Sequence, residues 1–171
     1  MRWFGMNIII EKATYLDAAQ ILQFIKQIGS ETDNLSFGAE GLPFAIESEE
    51  GYLKQIENSC DEIMLVAKED RKIIGNASLS RLPRRMKHRG DFSVSVLKEY
   101  WNKGIGALLL NEVIKFAKDN SFEIIDLQVR SDNASAIHLY EKFGFKKFGT
   151  HPAFFKIGDE EISFDYMFLK I

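Results

Sequence analysis

The sequence predicts an α+β fold: a mixed, mostly antiparallel central sheet of about seven strands, flanked by about four helices. Two hydrophobic patterns support this prediction. Some segments alternate apolar and polar residues or are apolar throughout, which is typical of strands, whereas others repeat apolar residues at helical spacing. Their order is strand, two helices, three strands, helix, strand, helix and two strands, which a doubly wound sheet would not give. With 171 residues, 46% of them hydrophobic, we expect one domain over residues 1–171 with its own core.

The N-terminal part is predicted to form a strand at residues 7–12 and a helix at about 15–28. Thr14 and Asp17 have the spacing of a capping box, which favours a helix start at this point. Gly29 is the predicted end of this helix, because glycine commonly follows the last helical turn.

The segment 30–47 has no clean hydrophobic period and is predicted to be a loop, either facing a substrate or serving as a solvated connector. Ser48, followed by two glutamates, is the predicted N-cap of a second helix that ends near Asn58. The remaining predicted elements are strands at 63–67, 73–79 and 92–96, a helix at 104–119, a strand at 124–129, a helix at 133–143, and strands at 145–150 and 162–169.

Composition limits the classes of function. The net charge of −3 argues against nucleic acid or an anionic membrane as the main partner, and no apolar run is long enough for a membrane span. The N-terminal apolar run is too short for a signal peptide, so a cytoplasmic location is expected, with Met6 as an alternative start to Met1.

The sequence predicts neither a disulfide nor a metal site. The chain has one cysteine, Cys60, which excludes an intramolecular disulfide and is expected to pack inside. Since His138 and His151 lack partners at ligand spacing, no metal site is predicted.

A glycine pair at the start of the 104–119 helix is the first functional motif. Gly104 and Gly106 allow a ligand to approach the backbone closely, and the unpaired N–H groups of a first helical turn favour an anion, most often a phosphate. Leu109 stands where a dinucleotide motif would carry its third glycine, and no Walker motif occurs. The motif is therefore either another kind of phosphate cradle or a structural turn.

A second motif follows the predicted strand at 124–129. It reads Asn133-x-x-Ala136-x-x-Leu139-Tyr140-Glu-Lys-x-Gly144-Phe145. Together with the glycine motif, it resembles the GNAT superfamily of acetyl-CoA-dependent N-acetyltransferases, over residues 6–170 and most weakly over 29–60. The resemblance implies acetyl-CoA as cofactor and a sheet with two splayed strands beside it.

The resemblance also implies the roles of particular residues. Val94 and Val96 would offer backbone groups to the pantetheine arm, which Asn133 would also hydrogen-bond. Tyr140 would donate a proton to the departing thiolate; its alternative role is a core aromatic, and that of Asn133 is a compatible helix cap. The family usually has Arg or Gln where this chain has Trp101, so pyrophosphate binding would depend more on backbone N–H groups. The cradle residues implied by the resemblance are Asn102, Lys103 with its charge, Gly104, Ile105, Gly106 and Ala107.

A base must deprotonate the acceptor amine, and the sequence offers two candidates. Asp91 comes first, because the resemblance implies a carboxylate near the start of this strand, and His88 comes second, because an imidazole side chain can accept a proton near neutral pH. The alternatives are a surface carboxylate for Asp91 and a solvated side chain for His88. A basic cluster around them is expected to be a solvated hairpin tip, or else to contact a cofactor phosphate or an acidic partner; it consists of Arg81, Arg84, Arg85, Lys87 and Arg89.

The predicted reaction is direct attack of an amine on the thioester in a ternary complex, because Cys60 lies outside both motifs. The acceptor would be a small-molecule amine or a protein N-terminus, with acidic residues suited to a cation at Glu31, Asp33, Glu40, Glu47, Glu49 and Glu50. The alternative is a non-catalytic acyl-CoA-binding or sensing domain. A homodimer through the C-terminal strands is also expected, with apolar material at Phe154, Phe155, Phe164 and Phe168.

Overall fold

The computed structural model describes residues 7–171 and contains one seven-stranded sheet in the order β1-β2-β3-β4-β5-β7-β6. Met1 and Met6, the two candidate start residues, lie outside the described part. The elements in chain order are β1 (Ile8–Lys12), α1 (Ala18–Glu31), α2 (Ile46–Ile56), β2 (Glu62–Glu69), β3 (Lys72–Arg81), β4 (Arg89–Val96), α3 (Ile105–Asp119), β5 (Ile124–Arg130), α4 (Ala134–Lys142), β6 (Lys146–Ile157) and β7 (Glu160–Lys170).

The sheet is mixed, with a single parallel pair at its centre. Every neighbouring pair is antiparallel except β4 and β5, which run parallel. The crossover between these two strands is α3, as a parallel connection requires. This order of elements confirms the predicted α+β fold.

Helices cover both faces of the sheet. A Cβ at Gly75 would point at Leu109 of α3, at 3.2 Å. Tyr52 of α2 lies beside Ser80, which is five residues along β3 and so faces the other way. We call these the α3 face and the α2 face. The core between the sheet and α3 is apolar and fully buried, with Leu79, Leu109 and Ile125 each 0% exposed.

The end of α1 differs from the prediction. The helix passes through Gly29 and ends at Glu31. A Cβ at position 29 would lie 2.0 Å from the carbonyl oxygen of Gly38, so this glycine lets the following loop pack on the helix. It marks a close tertiary approach and not a helix end. The predicted capping box is present, since Asp17 accepts hydrogen bonds from both Thr14 N–H and Oγ1, but it opens a short 3₁₀ turn before α1.

Two further expectations were wrong. Helix α2 begins at Ile46, before the predicted N-cap Ser48, because the carbonyl of Ala45 accepts the N–H groups of both Ser48 and Glu49. Cys60 is exposed, because it lies in the turn between α2 and β2 and does not pack in the core. Among the helices within residues 7–171, none has the length and hydropathy that a membrane crossing needs.

Candidate active site

Strands β4 and β5 separate partway along the sheet. They pair only over Arg89–Asp91 with Ile124–Asp126, although β4 continues to Val96 and β5 to Arg130. β4 stays paired with β3 up to Val96, so the gap opens on its β5 side alone. The splayed strand pair implied by the sequence resemblance is therefore present, and its vertex is Asp91.

The backbone groups that line this gap follow from the strand alternation. Leu97 N–H donates to the carbonyl of Ile74 on β3 at 2.9 Å, so Ser95 also faces β3 while Val94 and Val96 face the gap. The indole Nε1–H of Trp101 donates to the carbonyl of Val96 at 2.6 Å. Val94 consequently keeps its N–H and carbonyl free for a ligand, whereas one group of Val96 is already used.

The predicted cradle follows directly after this gap. Gly104 has φ +81°, a left-handed conformation that favours glycine, and a side chain there would meet open space. Among residues 7–171, no backbone acceptor lies within hydrogen-bond distance of the N–H groups from Asn102 to Ala107. Lys103 adds a positive charge, with Nζ 5.0 Å from the ring centre of Tyr100. Unpaired N–H groups at a helix N-terminus bind anions well.

Helix α4 is held against the cradle. Ser135 Oγ donates to Asn102 Oδ1 at 3.3 Å, and a Cβ at Gly106 would lie 3.2 Å from Leu139 Cδ2. Glycine at position 106 thus allows α3 and α4 to approach closely. The two sequence motifs meet at this contact.

Asn133 is the N-cap of α4, as its alternative interpretation predicted. Its Oδ1 accepts the N–H of Ala136 at 3.2 Å, and its own N–H donates to the carbonyl of Arg130. The side-chain Nδ2 makes no hydrogen bond to the described residues, so it remains able to donate to a ligand carbonyl.

Tyr140 lies on α4 beneath the vertex of the gap. It is 6% exposed and packs edge-on against Phe92, the first β4 residue without a β5 partner, with ring centres 6.3 Å apart. Burial raises the pKa of its phenol well above the usual 10. The raised pKa keeps the hydroxyl protonated at neutral pH. Because the hydroxyl makes no hydrogen bond within the described part of the chain, it is also free to donate one.

Asp91 lies on the opposite, α2 face of the same strand, at the vertex. Although the residue is exposed, neighbouring protein atoms desolvate its carboxyl and raise its pKa, and Asp126 adds to the rise. The hydrogen bond from Gln128 Nε2, at 3.0 Å, and the charge of Arg89 act in the opposite direction. A carboxylate with a raised pKa is a better base than an ordinary one.

His88 is not brought to this vertex. It precedes β4 and lines a surface cavity of about 610 Å³ together with Asp61, Glu62 and Ser121, and Asp91 is not among the residues that line this cavity. Strand geometry puts it about 10 Å from Asp91 along the chain. Arg81, Arg84 and Lys87 line the same cavity as His88, whereas Arg89 lies two residues before Asp91 and pairs with Asp126. All five residues of the basic cluster lie at the opposite end of β4 from the cradle, so contact with the same cofactor phosphates is not supported.

Sequence reasoning missed three contacts of this site. Gln128 orients Asp91, Trp101 bonds the β4 edge, and Arg130 Nη1 donates to the carbonyl of Asp33, which ties the α1–α2 loop to the end of β5. The alternation of β5 indicates which face Gln128 occupies, but its partner depends on the register between strands.

The described residues fit the pyrophosphate and pantetheine arm of a coenzyme A molecule. The cradle offers unpaired N–H groups to an anion, and the gap offers an unpaired strand edge to an amide-bearing chain. Residues 7–171 hold no group of three or more side chains suited to a metal ion.

Comparisons with known proteins agree with this geometry. The model of the acetyltransferase (GNAT) family matches residues 32–145. The crystal structure of an acetyltransferase of the GNAT family from Streptococcus pneumoniae is 31% identical, with a TM-score of 0.92 over 96% of this chain and 99% of that one.

Two curated proteins are similar over shorter segments. An N-alpha-acetyltransferase from Saccharolobus solfataricus is 37% identical over 87 residues, which is 50% of this chain and 52% of that protein. The L-amino acid N-acetyltransferase AaaT from Escherichia coli is 34% identical over 107 residues, which is 60% of this chain and 65% of that protein. The matched segments thus span between half and two thirds of these relatives. The family match, the splayed strands and the cradle lead to one conclusion: the chain belongs to the GNAT acetyltransferase family.

Proposed function

We propose that this protein transfers an acetyl group from acetyl-CoA to a primary amine by direct attack in a ternary complex. The observation that carries the proposal is the gap between β4 and β5, which has the unpaired cradle at one end and places Tyr140 and Asp91 on its two faces. Bound acetyl-CoA supplies the chemistry of a thioester, an electrophilic carbonyl carbon with a thiolate leaving group.

The chain's own residues divide the binding into two parts. Backbone N–H groups from Asn102 to Ala107 and the charge of Lys103 hold the pyrophosphate, because a helix N-terminus favours an anion. The free N–H and carbonyl of Val94, with Nδ2 of Asn133, hold the pantetheine amides in the manner of an added strand.

Asp91 is the proposed general base. An ammonium nitrogen has no lone pair, so the acceptor must lose a proton before it attacks. The carboxylate of Asp91 takes this proton directly or through a water molecule, and Gln128 keeps the carboxylate in place at 3.0 Å.

Tyr140 is the proposed general acid. Its phenol keeps its proton at neutral pH because burial raises its pKa. It can therefore give that proton to the departing sulfur, which would otherwise leave as a thiolate.

The acceptor, the assembly and the location are further parts of the proposal. The relatives named for N-alpha- and L-amino acid acetylation support a small-molecule amine or a protein N-terminus. The exposed thiol of Cys60 is compatible with the reducing cytoplasm.

For a homodimer, the exposed aromatic surface of β6 is the proposed contact. Phe164 is already covered by Phe154, whose ring stacks on it at 4.6 Å, so Phe148, 60% exposed, and Phe154, 37% exposed, are left for a partner. A monomer by sedimentation at micromolar concentration would contradict this part alone.

Thiol release from acetyl-CoA in the presence of a panel of amines tests the activity, with Tyr140→Phe as the variant. Turnover should fall at least about tenfold, a loss of about 1.4 kcal/mol of transition-state stabilisation, because the phenolic proton is missing. Calorimetry should give the same affinity for coenzyme A in both proteins. Unchanged turnover would remove Tyr140 from the acid role, and coenzyme A binding without turnover of any amine would indicate the non-catalytic acyl-CoA-binding alternative.

A further inference from the structure

A row of polar side chains crosses three strands on the α2 face. The register aligns Glu62 of β2 with Ser80 of β3, and Ser80 with Asp91 of β4. Residues directly opposite each other in a sheet project from the same face, so these three side chains form one row that ends at the proposed base. With strands about 4.8 Å apart, the Cα atoms of Glu62 and Asp91 are separated by about 10 Å.

Helix α2 adds two side chains above the far end of this row. Burial, and then the charge of Glu62, raise the pKa of the Tyr52 hydroxyl to about 12, while Ser80 acts in the opposite direction. Tyr52 is therefore seated over the Glu62–Ser80 end of the row. The charge of Glu49, one turn earlier on the helix, also acts on this hydroxyl.

Glu49 is the unusual member of the group. The residue is only 6% exposed, and its Oε1 has no hydrogen-bond partner in the described part of the chain. Burial raises the pKa of this carboxyl, with no cation acting against the rise. An unpaired buried carboxylate is costly, and the N-terminal position of Glu49 on α2 offsets only part of that cost. The carboxylate lacks a positively charged partner.

The arginines on this face of β4 and β5 are already paired with other residues. Arg89 Nε donates to Asp126 at 2.8 Å, and Arg130 is engaged with Asp132 at 2.7 Å. The α2 face around Asp91 therefore has two carboxylates, Glu49 and Glu62, without a salt bridge to a described residue, whereas its arginines are paired.

We propose that Glu49 and Glu62 form a subsite for a second ammonium group, so that the preferred acceptor is a small aliphatic diamine. One nitrogen of the diamine reacts at Asp91. The other is held between the two carboxylates below Tyr52, at a distance that the strand spacing sets. This inference rests on the proposed acetyl transfer and names the acceptor class of the same site.

The charge arrangement also distinguishes this acceptor from an amino acid. An amino acid would gain no contact from Glu49 and Glu62, which repel a carboxylate, and the paired Arg89 and Arg130 would have to leave their partners to bind that carboxylate. A diamine instead supplies the charge that the subsite lacks.

Calorimetry on the protein saturated with coenzyme A tests the subsite without depending on turnover. Putrescine and butylamine have the same chain length and differ only in the second nitrogen, so the ratio of their dissociation constants isolates the subsite. Putrescine should bind about tenfold more tightly to the wild type, as expected for a charge-assisted contact in a partly buried site.

Glu49→Gln should bring the two dissociation constants together while coenzyme A affinity is unchanged. Glu50→Gln is the matched control, because Glu50 lies next to Glu49 on α2 but pairs with the exposed Lys54 at 3.9 Å. Glu62→Gln should act like Glu49→Gln, which guards against an effect of one substitution on folding. Equal binding of the two amines to the wild type, no binding of either amine, or a putrescine preference that survives both substitutions would overturn the subsite. A wild-type protein that does not bind coenzyme A would instead overturn the proposed function.

Discussion

The two ends of β4 use their polar groups in opposite ways. Before Arg89, the guanidinium of Arg81 bonds Asp61 and the carbonyls of Lys87, Cys60 and Asn120, and it lies 3.8 Å from the ring centre of Phe122. After Val96, the N–H groups of the cradle have no backbone acceptor in the described residues. Both ends are rich in charge and lie outside the core.

The difference identifies the functional end. Satisfied polar groups stabilise a connection between segments, whereas unpaired ones on an ordered backbone remain available to a ligand. Substitutions at the first end should therefore change stability, and those at the second end should change binding or turnover.

Arg81→Ala should lower the free energy of unfolding by about 3 kcal/mol, because the carbonyls of Lys87 and Asn120 lose their donor and the stacking on Phe122 is lost. Denaturant unfolding measures this effect. Arg85→Ala is the control and should stay close to the wild type, because Arg85 is exposed in the short turn that follows β3. A large loss of turnover per folded molecule in Arg81→Ala would break the separation between the two ends.

Asp91→Asn should lower kcat about a hundredfold, or about 2.7 kcal/mol, because the amide cannot accept the proton from the acceptor amine. Steady-state kinetics measure it, and the melting temperature should stay close to that of the wild type.

The pH profile sharpens the same prediction. The pKa of Asp91 is raised, so its basic form is lost at a higher pH than that of an ordinary aspartate, and kcat/KM should fall as pH decreases through this value. The acidic limb should be absent in Asp91→Asn. An unchanged limb in this variant would assign the base to another group.

Trp101→Phe removes the indole donor to Val96 and keeps an aromatic ring. We expect about fivefold weaker binding of coenzyme A, corresponding to the roughly 1 kcal/mol of one hydrogen bond that fixes the end of β4 beside the cradle. Calorimetry measures the affinity, and kcat at saturating acetyl-CoA should not change. Tighter binding would mean that the indole competes with the pantetheine arm for the Val96 carbonyl.

His88→Ala should have the smallest effect, with kcat within about twofold of the wild type, since a base must lie within hydrogen-bond reach of its proton or one water away. The same kinetic assay measures it. A loss comparable to that of Asp91→Asn would show that the cavity beside His88 takes part in the reaction.

Local patterns predicted most of the elements and the glycine turn that opens α3, because these features depend on short-range periodicity and on glycine. Gly104 at φ +81° and Asn133 as a helix cap are of this kind. The prediction for Gly29 was wrong because the role of this glycine depends on a contact outside the helix. Gly29 packs against Gly38, nine residues away, and helix-end statistics carry no information on such a contact.

The amino-acid sequence alone was enough to predict the order of elements, the family resemblance and the residue types available for anion binding and proton transfer. Which of these residues meet depends on the folded structure. It placed Asp91 at the vertex of the gap, left His88 in a cavity that Asp91 does not line, bonded Trp101 to Val96 and brought the unpaired Glu49 toward the row that ends at Asp91. The physical reason is that strand register and helix packing are set by many weak contacts between distant segments, whereas local propensity acts within a few residues.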